Sequence, residues 1–350
     1  MASFALLLLL LLAISCRAVD QESSPRAQAL GNSTSTSLRL GYYGSSCPNA
    51  ETIVRQTLMT LLMQDPTAGA ALLRLAFHDC DVMGCDASII LDSTAQFQSE
   101  LESPKNFGIR RVDFIDRIKA SLEGSCPRTV SCADIIALAA RDSILLVRRS
   151  FLSSLFFVCL SENLQAGGPN IPVLTGRKDS TRADLATANR KLATATSSVE
   201  EILQDFASMG INPQEAVSLL GAHTLGVGHC LSVVNRLYPS VDTKMDLMYS
   251  MALRVLCPSP KFYLNITAIP NDSTMFRFDN MFFKDAASRR VLFALDAAVQ
   301  SDPRTSIYTS KFAQNQGLFF DTFSRAFVKL TSVVNSEATQ VRSNCRAINS

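Results

Sequence analysis

The stretch Leu72-Leu-Arg-Leu-Ala-Phe-His-Asp-Cys-Asp-Val-Met-Gly-Cys-Asp-Ala-Ser88 decides the reading of this chain. Arg74 and His78 stand four residues apart, so one helix face presents a permanent cation and an acid/base imidazole together. Asp79, Asp86 and Ser88 follow in a short loop that two cysteines could staple. A base, a fixed positive charge and an oxygen-rich loop at this spacing suit reaction chemistry beside a hard-cation site. Only three histidines occur, His78, His223 and His229, so each needs an account. A lone histidine is more often a satisfied core residue than a base or a ligand; the motif around His78 argues otherwise.

Outward toward the N-terminus, the apolar run Phe4 to Ile14 leads into Ser15-Cys16-Arg17-Ala18. It is too short to span a bilayer and reads as a secretory signal over residues 1–18, although a basic n-region is absent. Residues 19–37, rich in Ser, Thr and Gln without an apolar period, read as a flexible leader. The remainder suffices for one large or two ordinary domains. No other stretch is long enough for a transmembrane helix. A formal charge of +2 with no Lys/Arg block argues against nucleic acid as a partner.

The cysteines agree with export. Of ten, Cys16 leaves with the signal and Cys159 sits in an atypical segment. Cys47, Cys80, Cys85, Cys126, Cys132, Cys230, Cys257 and Cys345 remain, an even set that implies four disulfides, with about 105 pairings open to sequence alone. A zinc site competes poorly, because no cysteine pair has close metal spacing with a histidine. Sequons at Asn32, Asn265 and Asn271 fit a secreted glycoprotein.

Helical periods dominate, so the class is mostly α. Asp65-Pro66 reads as a cap and first-turn proline before the segment that carries Arg74 and His78. Ile115 to Leu122 and Asp134 to Leu146 repeat the three-four spacing. Ser198-Val-Glu-Glu201 reads as a capping box opening Ile202 to Met209, ended by Gly210. Asn212-Pro-Gln-Glu215 opens the next helix likewise and delivers His223, and Thr322 to Val334 is a further amphipathic helix.

Gly41-Tyr-Tyr43, Ser46-Cys-Pro48, Arg74-Leu-Ala-Phe-His-Asp-Cys80 and Cys126-Pro-Arg-Thr-Val-Ser-Cys-Ala-Asp134 occur in order. Thr175-Gly-Arg-Lys-Asp-Ser180, Gly221-Ala-His-Thr-Leu-Gly226, Phe278-Asp-Asn280 and Asn344-Cys-Arg346 follow. From about Leu38 to Asn349 the chain thus resembles the secretory (class III) plant peroxidases, haem enzymes of the outside of the cell and the vacuole. The resemblance implies a two-domain helical fold with haem between a distal half, 38–195, and a proximal half, 196–350. It implies the pairings Cys47–Cys126, Cys80–Cys85, Cys132–Cys345 and Cys230–Cys257, leaving Cys159 alone.

By the same resemblance, His78 is the acid/base toward hydrogen peroxide, and Arg74 stabilises the charge that develops as the O–O bond breaks. Asn106 accepts a hydrogen bond from His78 and fixes its tautomer, while Phe77 walls the pocket. His223 is the axial ligand of a haem b, with Leu219 and Leu220 as an apolar bed. Asp296 accepts the other imidazole N–H and raises electron density at iron. Two calcium ions are implied. The distal one takes Asp79, Asp86 and the Ser88 hydroxyl with main-chain oxygens of Val82 and Gly84, and the proximal one takes Thr224, Thr274 and Asp279. His229 has no family role at its position and reads as structural or exposed.

Four features depart from the family. Val147 to Gln165 has no counterpart, and its removal joins Ala140-Arg-Asp-Ser-Ile-Leu-Leu146 to Ala166-Gly-Gly-Pro169 as an uninterrupted family segment. Valine codons begin GT and one glutamine codon is CAG, so the insert reads as an intron kept in frame or an error in the gene's assembly. Leu192-Ala-Thr-Ala195 replaces the Pro-x-Pro that borders the haem edge, which bears on the donor contact at Ala193. Asn271 stands where the family has a calcium-binding aspartate and lies in a sequon, so a glycan there would block ligation. There is no tryptophan, and Ile171 holds the place where many members carry their single one.

The expectation is a secreted haem peroxidase that reduces hydrogen peroxide and oxidises small phenolic or aromatic donors in one-electron steps. It is expected to be a monomer in the apoplast or cell wall, since no tail after Asn344-Cys-Arg346 reads as a vacuolar address. The competing reading from another class is an impaired wall-associated glycoprotein on the same fold. A haem-free calcium module would leave Arg74, His78, Asn106 and His223 unexplained.

Overall fold

The computed structural model describes residues 38–146, 167–259 and 267–350. The signal, the leader, the Val147 to Gln165 insert with Cys159, and the sequons at Asn32 and Asn265 lie outside these. Residues 37–350 cluster as one compact unit.

The first helices are α1 (Ala50–Gln64), α2 (Ala68–Val82), α3 (Val112–Ser125) and α4 (Cys132–Leu146). Helix α4 is buried along nearly its whole length and packs chiefly on α2, which fixes the helix that carries Arg74 and His78. Asp65-Pro66 does not cap α2, which begins only at Ala68. Instead the Asp65 carboxylate accepts from Thr67 N–H and Oγ1 and pairs with Arg110 and Arg111. Those tertiary partners outcompete the capping role that local sequence suggests.

Three helices follow: α5 (Leu185–Lys191), α6 (Val199–Ser208) and α7 (Pro213–Leu220). Both capping boxes form, Ser198 with Glu201 and Asn212 with Glu215, so these starts follow from local chemistry. Gly210 ends the turn after α6 at φ +73°, where a side chain would be strained. Then come α8 (Cys230–Leu237), α9 (Leu247–Leu256), α10 (Met281–Ala287), α11 (Ala294–Ser301), α12 (Ser306–Gln314) and α13 (Gln316–Thr331). Helix α13 starts six residues earlier than the apolar period suggests, because the Asn315 side chain caps it through Leu318 N–H. Among the described residues the only named strands are β1 (Val227–His229) and β2 (Ala268–Pro270), antiparallel with Gly228 opposite Ile269.

One apolar core runs through helices of both sequence halves, from Leu58 and Leu72 to Phe283, Phe319 and Phe327. A smaller cluster around Cys230, Val233, Leu253, Cys257 and Ile269 stabilises the β1–α9 region. The four disulfides join Cys47–Cys126, Cys80–Cys85, Cys132–Cys345 and Cys230–Cys257, the pairing that the family resemblance implies. Cys132–Cys345 closes a separation of 213 residues, which in the chain-entropy account contributes on the order of 5 kcal/mol. Where residues 147–166 leave and rejoin, Gly168 N–H donates to Ile144 O at 2.9 Å. A Cβ on Gly168 would lie 2.4 Å from Phe278, so the chain returns tightly against the end of α4.

Candidate active site

Helix α2 places Arg74 and His78 on one face, and Arg74 Nε donates to His78 Nε2 at 3.2 Å. The other ring nitrogen, Nδ1, lies 2.7 Å from Asn106 Oδ1. Since Nε2 accepts from a guanidinium, Nδ1 carries the proton and donates to Asn106. Asn106 is buried and is itself held by donating from Nδ2 to Glu100 O at 2.7 Å. Glu100 is fully buried, and its Oε1 accepts from Asp184 N–H at 2.9 Å. The orientation of His78 is thereby tied, through two loops, to the cap of α5.

Arg74 is braced by Phe107 O at 3.2 Å and Lys105 O at 3.3 Å. Gly108 has φ +84°, and a Cβ there would press to 3.3 Å from the guanidinium. Burial, with the Arg74 charge adding to it, pushes the His78 pKa down to about 3. The imidazole therefore stays a neutral base at ordinary pH. Phe77, half-buried, precedes His78 on the same helix.

Asp79, Asp86 and Ser88 are fully buried behind this face. Asp79 Oδ2 accepts from Ala87 N–H at 3.1 Å, and Asp86 Oδ1 from Ser88 N–H at 2.9 Å. Asp79 Oδ1 and Ser88 Oγ have no hydrogen-bond partner among the described residues. Burial holds the Asp79 carboxyl well above the usual range, and the charges of Asp86 and Glu100 push the same way. Val82 is buried at the end of α2, and Gly84, at φ +96°, turns where a Cβ would meet Val334 at 2.9 Å. Orphaned buried oxygens among mutually repelling carboxylates fit a hard divalent cation.

The distal set includes a residue the sequence reading did not single out. Arg342 is fully buried and donates to Ala87 O at 2.7 Å, with Asp179 near. Asn335 Nδ2 also donates to Asp86 Oδ2 at 2.6 Å. Both lie some 250 residues along the chain, and no local pattern announces them.

On the proximal side, α7 runs into a 3₁₀ turn, Gly221–Thr224, which carries His223. His223 Nδ1 lies 3.1 Å from Asp296 Oδ1 in the first turn of α11, and Asp296 is buried. Phe282 and Phe293 flank the imidazole edge-on at 5.8 and 5.2 Å. With Nδ1 engaged by a carboxylate, Nε2 is left for a metal, the donor arrangement of an axial haem ligand. Leu219 is buried one turn earlier and Leu220 is half-buried. His229 sits in β1 with Nδ1 3.0 Å from Thr267 O, a structural contact.

Thr224, Thr274 and Asp279 come together: Thr274 Oγ1 donates to Asp279 Oδ1 at 3.0 Å, and Thr224 Oγ1 lies 3.4 Å from the same oxygen. The shorter contact of Thr224, 2.6 Å, is with Asp272 Oδ2. The sequence reading missed Asp272, although it adjoins Asn271, because counting along the family pattern passes over it. Burial pushes the Asp272 carboxyl up to about 6. Among the described residues no group of three or more His, Cys, Asp or Glu side chains forms a metal cluster. Both candidate cation sites depend on hydroxyl and main-chain oxygens besides two carboxylates each.

Segment 190–195 touches both sides. Lys105 Nζ donates to Arg190 O at 3.1 Å, while Leu295 N–H, beside Asp296, donates to Ala195 O at 3.0 Å. Ala193 is exposed between these ties.

The chain matches the family described as Peroxidase over residues 54–315. It is 42% identical to Peroxidase 29 of Arabidopsis thaliana over 88% of each chain. Peroxidase 66 of the same plant is 38% identical over 88% of this chain and 91% of its own. Peroxidase 15, also from Arabidopsis thaliana, is 33% identical over 99% of this chain and 98% of its own.

Proposed function

The chain belongs to the class III plant peroxidase family, whose members use hydrogen peroxide and haem, and we propose that His78, Arg74 and Asn106 activate peroxide here while small phenols supply the electrons. The observation that carries this reading is the tautomer of His78. Its Nδ1 is committed to Asn106, so Nε2, which accepts from Arg74 here, is the nitrogen that would take a peroxide proton once Arg74 turns from it to the bound peroxide. His78 takes that proton and returns it to the leaving oxygen, which departs as water. Arg74, held by two carbonyls through its terminal nitrogens, would face the charge that builds during cleavage.

His223 would hold haem iron through Nε2, with Asp296 anchoring Nδ1 and Phe282 and Phe293 packed edge-on against the imidazole. The chemistry a haem would supply there is two-electron reduction of peroxide, balanced by one-electron oxidation of two donor molecules. Asp79, Asp86 and Ser88, with main-chain oxygens of Val82 and Gly84, would hold one calcium ion behind the catalytic helix. A second would lie beside Thr224, next to the iron ligand. Segment 192–195, tied to both sides, would border the edge where donors approach.

Four disulfides and the family point to the secretory pathway, and an extracellular monomer of the apoplast or wall is the reading we favour. The test is an absorbance titration of the secreted, purified chain. A Soret band that changes on one equivalent of hydrogen peroxide and returns on adding a phenol supports the proposal. A chain with haem but no response to peroxide would instead be the impaired glycoprotein.

A further inference from the structure

The geometry points to Asp272, one residue past the position that the family pattern uses, as a carboxylate ligand of the proximal calcium ion, with the Asn271 side-chain oxygen beside it as a neutral ligand and no glycan on that asparagine. The inference rests on the calcium reading proposed above and changes which atoms hold the ion.

Asp272 spans both threonines of the site. Its Oδ2 accepts from Thr224 Oγ1 at 2.6 Å, and its Oδ1 accepts from Thr274 N–H at 2.7 Å and Thr274 Oγ1 at 3.3 Å. Asp279 Oδ1 faces the same two hydroxyls, and Arg277 O accepts from Thr224 Oγ1 at 3.3 Å. Two carboxylates, two hydroxyls and a carbonyl therefore converge, all of them hard oxygens. Among the described residues the counter-charge is slight: Arg277 Nε reaches Asp279 at 3.4 Å and is half-exposed. Arg290 is engaged with Asp285.

An independent observation concerns Asn271. It is 8% exposed, and its Nδ2 donates to Leu225 O at 3.3 Å, the residue after Thr224. Its Oδ1 is buried and has no hydrogen-bond partner among the described residues. A neutral amide oxygen left unpaired beside an acidic cluster is an acceptor awaiting a cation. A glycan joined to Nδ2 would need room that this buried side chain, held against Leu225 O, does not leave. The sequon Asn271-Asp-Ser273 is thus occupied by structure instead of sugar.

The test measures calcium per chain in the secreted holoprotein by elemental mass spectrometry, for the wild type, Asp272→Asn and Ser273→Ala, with peptide mass mapping across residue 271. The expected result is two ions in the wild type, one in Asp272→Asn and two in Ser273→Ala, which removes the sequon and leaves both ligands. Asn271 is expected to be unmodified throughout. Two ions in Asp272→Asn overturn the assignment. A glycan on Asn271 in the wild type also overturns it, and that readout needs no variant to fold. One ion in the wild type overturns it together with the proximal-calcium reading. Iron content and the Soret band are recorded on the same samples, so a failure of the haem reading is seen separately.

Discussion

His78 Nδ1 and Asn106 Oδ1 stand 2.7 Å apart, and that contact decides which imidazole nitrogen is free to act. Asn106→Val removes the acceptor while keeping the volume. The rate constant for reaction with hydrogen peroxide is expected to fall about 10- to 100-fold, with phenol oxidation by the already activated enzyme unchanged. Stopped-flow absorbance separates the two steps, and equal losses in both would speak against a role confined to His78.

Acid should be tolerated. The His78 pKa lies at about 3, below its ordinary value, so the neutral base persists as pH falls and is lost only near that value. Peroxide reactivity is expected to be flat from neutral pH well into the acid range. Arg74→Leu removes one cause of the depression, so its acid limb should move to higher pH while the rate falls about 10²- to 10³-fold. An acid limb already near the ordinary histidine value in the wild type would contradict the burial argument.

Asp296→Asn tests the proximal side. The amide still accepts or donates at His223 but no longer carries charge, so the imidazole becomes a weaker electron donor. A higher haem reduction potential and about 10-fold slower peroxide reaction are expected, both measurable on one sample. An unchanged potential would remove Asp296 from the account.

Ser88→Ala distinguishes a calcium ligand from a packing residue. Its hydroxyl has no hydrogen-bond partner among the described residues, so in chelator-treated protein the variant and the wild type should melt together. With calcium present, the variant should melt several degrees lower and bind the distal ion more weakly. Equal melting in both conditions would take Ser88 out of the site.

Deleting Val147 to Gln165 should leave haem content and turnover at or above the level of the full chain. The flanks already meet, since Gly168 N–H reaches Ile144 O at 2.9 Å, and shortening a loop lowers its closure cost. Secreted yield and melting temperature measure this. Loss of folding on deletion would show that the insert contributes to the core.

The catalytic face was legible in sequence because its logic is local: four residues on a helix align Arg74 with His78, and capping boxes at Ser198 and Asn212 announce their own helices. What escaped was decided by partners distant in sequence. Asp65 looked like a cap until Arg110 and Arg111 were seen to hold it. Arg342 and Asn335 joined the distal loop without any signal near that loop. Asp272 was passed over because a residue count cannot report which of two neighbouring side chains reaches Thr224.

The loop behind the catalytic helix is closed by the far end of the chain. Cys85 N–H donates to Val333 O, Asn335 holds Asp86, Arg342 holds Ala87, and Cys345 is bonded to Cys132 at the start of α4. Residues 79–88 leave the ribosome early, yet their enclosure waits for segments made some 250 residues later. A nascent or prematurely terminated chain would already display Arg74 and His78 but could not yet seal the loop beneath them. Closure of the loop beneath Arg74 and His78 is in this way tied to residues some 250 positions further along.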